Sequence, residues 1–180
     1  MSDHSPAAVR DAVTNLVCLY SHALDRRQWE LLDAVFFDDA LCGVGVAAKP
    51  WREWRETAKN NFANCLDFTH HQPGPSLINL QGEVALCETY CTAHHRVRPD
   101  SPAGGRFNGT GTPYDIIAGL RYSDRIELRN GTWRIAVRQG MADWRHERPA
   151  ADRIFSTEEF RGLHHKEPFT DPVVERWRRD

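Results

Sequence analysis

The spacing of apolar residues along this chain changes once, from helical to strand-like, close to Pro73-Gly74-Pro75. Before that turn, three stretches carry apolar residues three and four positions apart, which is the spacing of one buried helix face. They predict helices from about Ser5 to Ala23, over Trp29 to Phe36, and from Pro50 to an end at Leu66 to His71. A chain with its helices first and its strands afterwards is typical of an α+β domain.

Beyond the turn, the sequence carries two hairpin signals. Gln81-Gly82 and Asn130-Gly131 each separate two apolar-patterned runs, and Asn-Gly is the strongest short hairpin signal. We therefore expect the helices to pack on one face of a strongly bent, mainly antiparallel sheet, which is an α+β fold. The predicted strands are Ala40 to Val46, Leu77 to Leu80, Glu83 to Val97, Tyr114 to Leu128 and Thr132 to Trp144.

Length and charge narrow the class of protein. A chain of 180 residues is the size of one globular domain. Its 23 Lys and Arg balance 25 Asp and Glu without a basic stripe, which argues against nucleic-acid binding. No apolar run approaches the roughly 20 residues of a membrane span, and Met1 to Pro6 are polar, so we expect a cytoplasmic protein without membrane contact. Five cysteines without a Cys-x-x-Cys pair are expected to be reduced thiols.

Two segments extend beyond these predicted elements. Arg98 to Thr112 is rich in Gly and Pro and longer than most strand connections, so it could close over a cavity or reach a partner subunit. From Glu147 onwards the chain is polar. We expect one domain over residues 1–146 and an extension over 147–180 that packs on the domain or on a partner subunit.

Histidine occurs in three adjacent pairs, His70-His71, His94-His95 and His164-His165. Neighbouring residues of a strand face opposite sides, so each pair offers at most one ligand to a given site. No His-x-x-x-His motif completes a familiar ligand set. The sequence therefore predicts no metal, and we expect no cofactor.

His71 is the histidine with the best-defined surroundings, between a predicted helix end and the Pro73-Gly74-Pro75 turn. A histidine exchanges protons near neutral pH and needs a carboxylate to hold one ring nitrogen. Asp25, at the end of the first helix, is the natural candidate for that carboxylate. The residues alone leave a structural, hydrogen-bonded histidine as the alternative.

Three segments resemble the SnoaL-like members of the nuclear transport factor 2-like superfamily. They are Leu19 to Leu32 with Phe37-Asp38-Asp39-Ala40, then Thr69-His70-His71, and finally Arg121 to Glu127 with Gly131 to Ile135. The resemblance extends over about Ala8 to Trp144. It implies a cone in which a bent sheet wraps around helices and opens into a mostly apolar pocket.

The resemblance also implies roles for individual residues. The most similar branch includes scytalone dehydratase, hexachlorocyclohexane dehydrochlorinase and bile-acid dehydratase, in which an Asp and a His meet inside the cone and the His removes a proton from carbon. By motif position this implies Asp25 as the carboxylate and His71 as the base. Tyr20 matches a pocket tyrosine of the bile-acid enzyme and is expected to donate a hydrogen bond to a substrate oxygen.

Candidate substrate contacts are less well defined. Four aromatic residues lie on or beside the third helix, although aromatic residues at this spacing usually belong to a core. Arg121, Arg138 and one of the pair His94-His95 could also face the cavity, and the family pattern supports none of them. The aromatic candidates are Trp51, Trp54, Phe62 and Phe68.

The resemblance leaves more than one function open. We expect a cofactor-free lyase, dehydratase or isomerase that acts on a hydrophobic cyclic molecule such as a steroid, polyketide or aromatic compound. The alternatives are the non-catalytic small subunit of an aromatic-ring-hydroxylating dioxygenase, which would bind a large subunit, and a hydrophobic-ligand-binding protein. A homodimer or homotrimer is expected in each case.

Overall fold

The structure is a computed structural model that describes residues 5–45 and 47–151. Most of the extension predicted over 147–180, and with it His164-His165, lies outside the described residues. The last strand runs to Pro149, beyond the predicted boundary at residue 146. The division into a domain and an extension remains a prediction.

Three α-helices precede most of the sheet. Helix α1 spans Pro6–Asp25, and the Ser5 hydroxyl caps its start by accepting a hydrogen bond from the Ala8 amide at 3.3 Å. The predicted second helix is only a 3₁₀ turn, Trp29–Leu31, and one α-helical turn, α2, Leu32–Val35. Helix α3 spans Trp51–Cys65. All three predicted helices therefore exist, the second in shortened form.

Within the described residues, six strands form one mixed sheet in the order β2-β1-β6-β5-β4-β3. Only β1 and β6 are parallel, and every other neighbouring pair is antiparallel. Register shifts interrupt three of the five pairings, and such bulges bend a sheet. The predicted α+β class and curled sheet are confirmed. The strands are β1 Phe36–Val44, β2 Ala47–Pro50, β3 Leu66–Gln81, β4 Val84–Val97, β5 Tyr114–Arg129 and β6 Thr132–Pro149.

Strand β3 is where the sequence prediction was wrong. Leu66 to His71 were expected to end the third helix, but they already belong to β3, which continues through Pro73-Gly74-Pro75 with a register shift. Two prolines are tolerated there because β3 is an edge strand, where the missing N–H groups remove no central ladder bond. His71 therefore lies on a strand rather than on a turn.

The core lies between the helices and the inner face of the sheet. Phe36 and Trp51 stack within it at 5.2 Å between ring centroids, and both are fully buried. Among the described residues, no helix has the length and apolar character that crossing a bilayer demands.

One ion pair is buried in this core. Arg138 on β6 donates from Nε and Nη2 to the two carboxylate oxygens of Asp124 on β5, at 2.8 and 2.6 Å. The guanidinium lies 4.1 Å from the ring centroid of Tyr20 and 4.6 Å from that of Tyr122. Its charge is thereby compensated by a bidentate partner and by two aromatic faces.

Removing one partner of this pair is expected to be costly. Asp124→Ala leaves Arg138 buried without a counter-charge and should lower the free energy of unfolding by about 3–5 kcal/mol. Replacing both residues, with Asp124→Leu and Arg138→Met, should restore much of that loss. Urea unfolding of the three proteins measures this. A single variant within 1 kcal/mol of the wild type would contradict it.

Candidate active site

A cavity of about 600 Å³ opens between α1, α3 and the inner face of the sheet. Its wall is mainly apolar, which suits a hydrophobic ligand. The long loop between β4 and β5 contributes Phe107, which is buried, so the loop closes part of the cavity as its length suggested. The largest side chains of the wall are Tyr20, Trp54, Phe62, Phe107 and Tyr122.

Asp25 and His71 meet at this wall. Asp25 is the last residue of α1, and His71 lies on the inner face of β3. His71 Nδ1 lies 2.7 Å from Asp25 Oδ1, within the range of about 2.6–3.2 Å expected of a working proton-transfer pair. The aspartate lies behind the imidazole, so His71 lines the cavity and Asp25 does not.

Asp25 is held by two further hydrogen bonds. The backbone N–H of His71 donates to Oδ2 at 2.7 Å, and the Thr69 hydroxyl donates to Oδ1 at 2.9 Å. Thr69 and His71 are two residues apart on β3, so their side chains point to the same face of the strand and both contact this carboxylate. The carboxylate can only accept, so in the neutral form of His71 the proton is on Nδ1 and Nε2 has a lone pair for a molecule in the cavity.

Arg27 supports this cluster from the turn that follows α1. Its backbone has a positive φ of 60°, which reverses the chain immediately after Asp25. Its Nη1 donates to Thr69 Oγ1 at 2.7 Å and to the Leu24 carbonyl oxygen at 2.5 Å. The Thr69 hydroxyl therefore accepts from Arg27 and donates to Asp25, which fixes its orientation.

A second histidine, His95, faces the cavity from β4. Its ring centroid lies 5.1 Å from that of His71 and 5.4 Å from that of Phe107. Burial lowers the pKa of His95 well below 6.5; His71 and His94, when protonated, and the charges of Arg106 and Arg27 lower it further. Its Nδ1 is buried without a hydrogen-bond partner in the part of the chain that the structure describes. His94 points to the other face and pairs with Asp115 at 3.2 Å, which resolves the choice that the sequence left open.

Tyr20 lies on the cavity wall, stacked on Trp54 with 5.8 Å between centroids. Burial raises the pKa of its phenol well above 10.0, so the hydroxyl keeps its proton. Tyr20 is thus a neutral hydrogen-bond donor group in the same cavity as His71.

Two of the four aromatic candidates, Trp54 and Phe62, line the cavity. The expectation was wrong for Trp51, which is fully buried against Phe36 at the start of α3. It was also wrong for Phe68, which lies on the opposite face of β3 from His71 and packs on His94 with 5.4 Å between centroids.

Neither arginine candidate lines the cavity. Arg121 lies on the outer face of the sheet, where it pairs with Asp143 at 2.8 Å and Glu88 at 3.2 Å. Arg138 lies behind Tyr20, fully buried and paired with Asp124. Side chains alternate between the two faces of a strand, and each bulge reverses this parity. The face of a residue on a bulged strand therefore cannot be counted from one end.

A comparison with known protein families assigns the chain to one of them. The sequence matches the family model of the SnoaL-like domain over residues 5–139, so the chain belongs to the SnoaL-like domain family. The resemblance noted from the sequence is thereby confirmed. No protein of curated function is significantly similar to the chain in sequence.

Several solved structures share the fold at low sequence identity. LinA is 19% identical, with a TM-score of 0.69 over 87% of this chain and 99% of its own. A candidate scytalone dehydratase from Novosphingobium aromaticivorans is 17% identical, with a TM-score of 0.62 over 82% and 97%. A candidate aromatic ring hydroxylase from the same organism is 16% identical, with a TM-score of 0.65 over 81% and 96%. At these identities the similarity shows the fold alone.

Because His95 is buried, we expect the stability of the folded protein to fall in acid. The unfolded chain binds a proton at this histidine below pH 6.5, whereas the folded chain does not until its lowered pKa is reached. Stability therefore falls as pH drops below about 6.5, by up to about 1.4 kcal/mol per pH unit from this group. Urea unfolding between pH 7 and 5 should show a shallower loss for His95→Gln than for the wild type. Identical slopes for the two proteins would contradict the neutral, buried histidine.

Proposed function

We propose that this protein is a cofactor-free lyase or isomerase in which His71 removes a proton from a carbon atom of a hydrophobic cyclic molecule. The observation that supports the proposal is the contact of 2.7 Å between His71 Nδ1 and Asp25 at the wall of the cavity. A positioned base with a carboxylate behind it is what abstraction of a weakly acidic proton requires.

Asp25 has two tasks in this reaction. Its hydrogen bond to Nδ1 holds the tautomer in which Nε2 is basic, and its negative charge stabilises the imidazolium after proton transfer. The contribution is large because His71 is buried, and a charge in a poorly solvated site interacts more strongly with its neighbours. Thr69 and the His71 amide keep the carboxylate from rotating away.

The charge that develops on the substrate needs donors that are themselves neutral. Tyr20 keeps its proton because burial raises its pKa, and His95 stays uncharged yet carries one N–H because burial lowers its pKa. Both side chains line the cavity. In the proposed reaction they donate to an enolate oxygen or to a departing group, which is how preorganised dipoles lower a barrier.

Two outcomes follow proton abstraction. Loss of a leaving group from the neighbouring carbon gives an alkene and makes the protein a lyase, and return of the proton to another carbon makes it an isomerase. A neighbour in fold, LinA of type 2, is a hexachlorocyclohexane dehydrochlorinase, which fits the first outcome. A cavity of about 600 Å³ accommodates a molecule of two to four fused rings.

The alternatives call for different features. A dioxygenase small subunit needs an assembly surface rather than a carboxylate and an imidazole inside a cavity, and a binding protein needs the cavity alone. The aspartate held by three hydrogen bonds behind His71 favours the enzyme over both. The homo-oligomer and the cytoplasmic location stay predictions.

Variants of the pair test the proposal. The assay incubates the protein in deuterated buffer with hexachlorocyclohexane, hydroxylated steroid ketones and aromatic polyketides, and follows product and deuterium incorporation by mass spectrometry. For a compound that is turned over, His71→Ala should lower kcat by about 10²–10⁴-fold, since general-base catalysis contributes about that much. Asp25→Asn should lower kcat too, because the neutral amide no longer stabilises the imidazolium.

The matched control is His70→Ala, because its side chain lies on the opposite face of β3 from His71. It should keep wild-type turnover. Circular dichroism and the urea midpoint show whether each variant is folded. A folded His71→Ala protein with unchanged turnover would exclude His71 as the base, and binding of the panel without any turnover or exchange would favour a ligand-binding protein.

A further inference from the structure

The charged residues on the cavity wall are all of one sign. Lys49, Arg106 and Arg145 line it together with the two histidines, and no Asp or Glu is among the described residues of the wall. Arg106 and Arg145 are exposed to solvent, which places them at the mouth rather than in the interior. The deep part of the cavity, around Tyr20 and His71, is buried.

Arg106 and Arg145 lie next to each other at this mouth. Nη1 of Arg145 donates to the backbone carbonyl oxygen of Arg106 at 3.4 Å. Arg145 also pairs with Glu147, which is half exposed. Arg106 has no acidic partner within residues 5–45 and 47–151, although most other arginines there have one. Lys49 differs because Glu53 and Thr57 already hold its ammonium at 3.0 Å each.

The loop connects this mouth directly to the catalytic pair. Phe107, the residue after Arg106, is buried and packs on His95 at 5.4 Å between centroids, and His95 packs on His71 at 5.1 Å. Two ring contacts therefore separate the mouth from the base. A polycyclic molecule lying along them would reach both ends.

An anion fits the mouth and does not fit the interior. The apolar wall offers no compensation for a buried charge, whereas a guanidinium at a partly solvated rim binds a carboxylate by two parallel hydrogen bonds. The guanidinium of Arg145, which reaches the backbone carbonyl oxygen of Arg106, adds attraction and repels cationic ligands.

We propose that the substrate of this site is a hydrophobic cyclic acid whose carboxylate binds Arg106 and Arg145 at the mouth while its ring skeleton reaches His71. This inference rests on the proposed function only in treating the ligand as a substrate. The anion anchor itself concerns binding and is measured without turnover.

The experiment compares isosteric acids and amides. Naphthalene-2-carboxylate, pyrene-1-carboxylate and a steroid carboxylate are each titrated against the protein beside the corresponding carboxamide, by ligand or tryptophan fluorescence and by calorimetry. At least one acid should bind ten or more times tighter than its amide, and the preference should shrink as salt is raised. Equal affinities in every pair, or no binding of any acid, would overturn the proposal.

Charge variants locate the anchor. The double variant Arg106→Gln, Arg145→Gln should lose the preference for the acid while its affinity for the amide changes less than twofold. The control is Arg98→Gln, Arg125→Gln, which removes the same net charge at exposed ion pairs outside the cavity wall. It should keep most of the preference. An unchanged preference in the first variant, or an equal loss in the control, would overturn the anchor.

His71→Ala separates this inference from the proposed function. Its preference for acid over amide should equal that of the wild type, because the anchor lies at the other end of the cavity. A preserved preference together with no turnover of any compound would leave the anchor standing and remove the enzyme. Turnover of neutral compounds without any preference for acids would support the enzyme and exclude the anchor.

Discussion

The carboxylate of Asp25 is the point on which the site depends. It ends α1, and its three hydrogen bonds go to the side chain of Thr69 and to the amide and ring of His71, all on β3. The same contacts therefore attach the helix to the edge strand and orient the imidazole. A chain that lost these bonds would lose a link between α1 and the edge strand β3 as well as the orientation of the His71 ring.

The sequence predicted this pair better than it predicted the strand that carries it. Apolar spacing placed the helices and the later hairpins, and the resemblance placed Asp25 and His71. The apolar spacing did not show that Leu66 to His71 form a strand, because the end of a helix and the start of a strand both contain mixed polar and apolar residues. Once β3 is known, alternation alone puts Thr69 beside His71, and that signal was present in the sequence.

The misplaced residues have a common physical reason. Phe68 was expected at the cavity because it lies beside the third helix, and Arg121 was one of two arginines that could face it. The face of a strand is set by parity, however, and bulges such as that between Gly119 and Leu120 reset parity. Trp51 lies on the third helix as expected and Arg138 on the last strand, but both belong to the layer behind the cavity wall. His95, Arg106 and Phe107 depend on contacts between distant segments, which no local pattern encodes.

The distribution of charge around the cavity explains why Asp25 matters beyond orientation. Burial is the main cause of the lowered pKa of His95, and the positive charges of Arg106 and Arg27 lower it further. The positive charge of Arg106 also favours the anion that we propose at the mouth. Asp25 supplies the one carboxylate in contact with the His71 ring among the described residues. In the proposed reaction, Asp25 balances the charge that His71 gains, and because Asp25 lies behind the imidazole it does not repel the anion that we propose at the mouth.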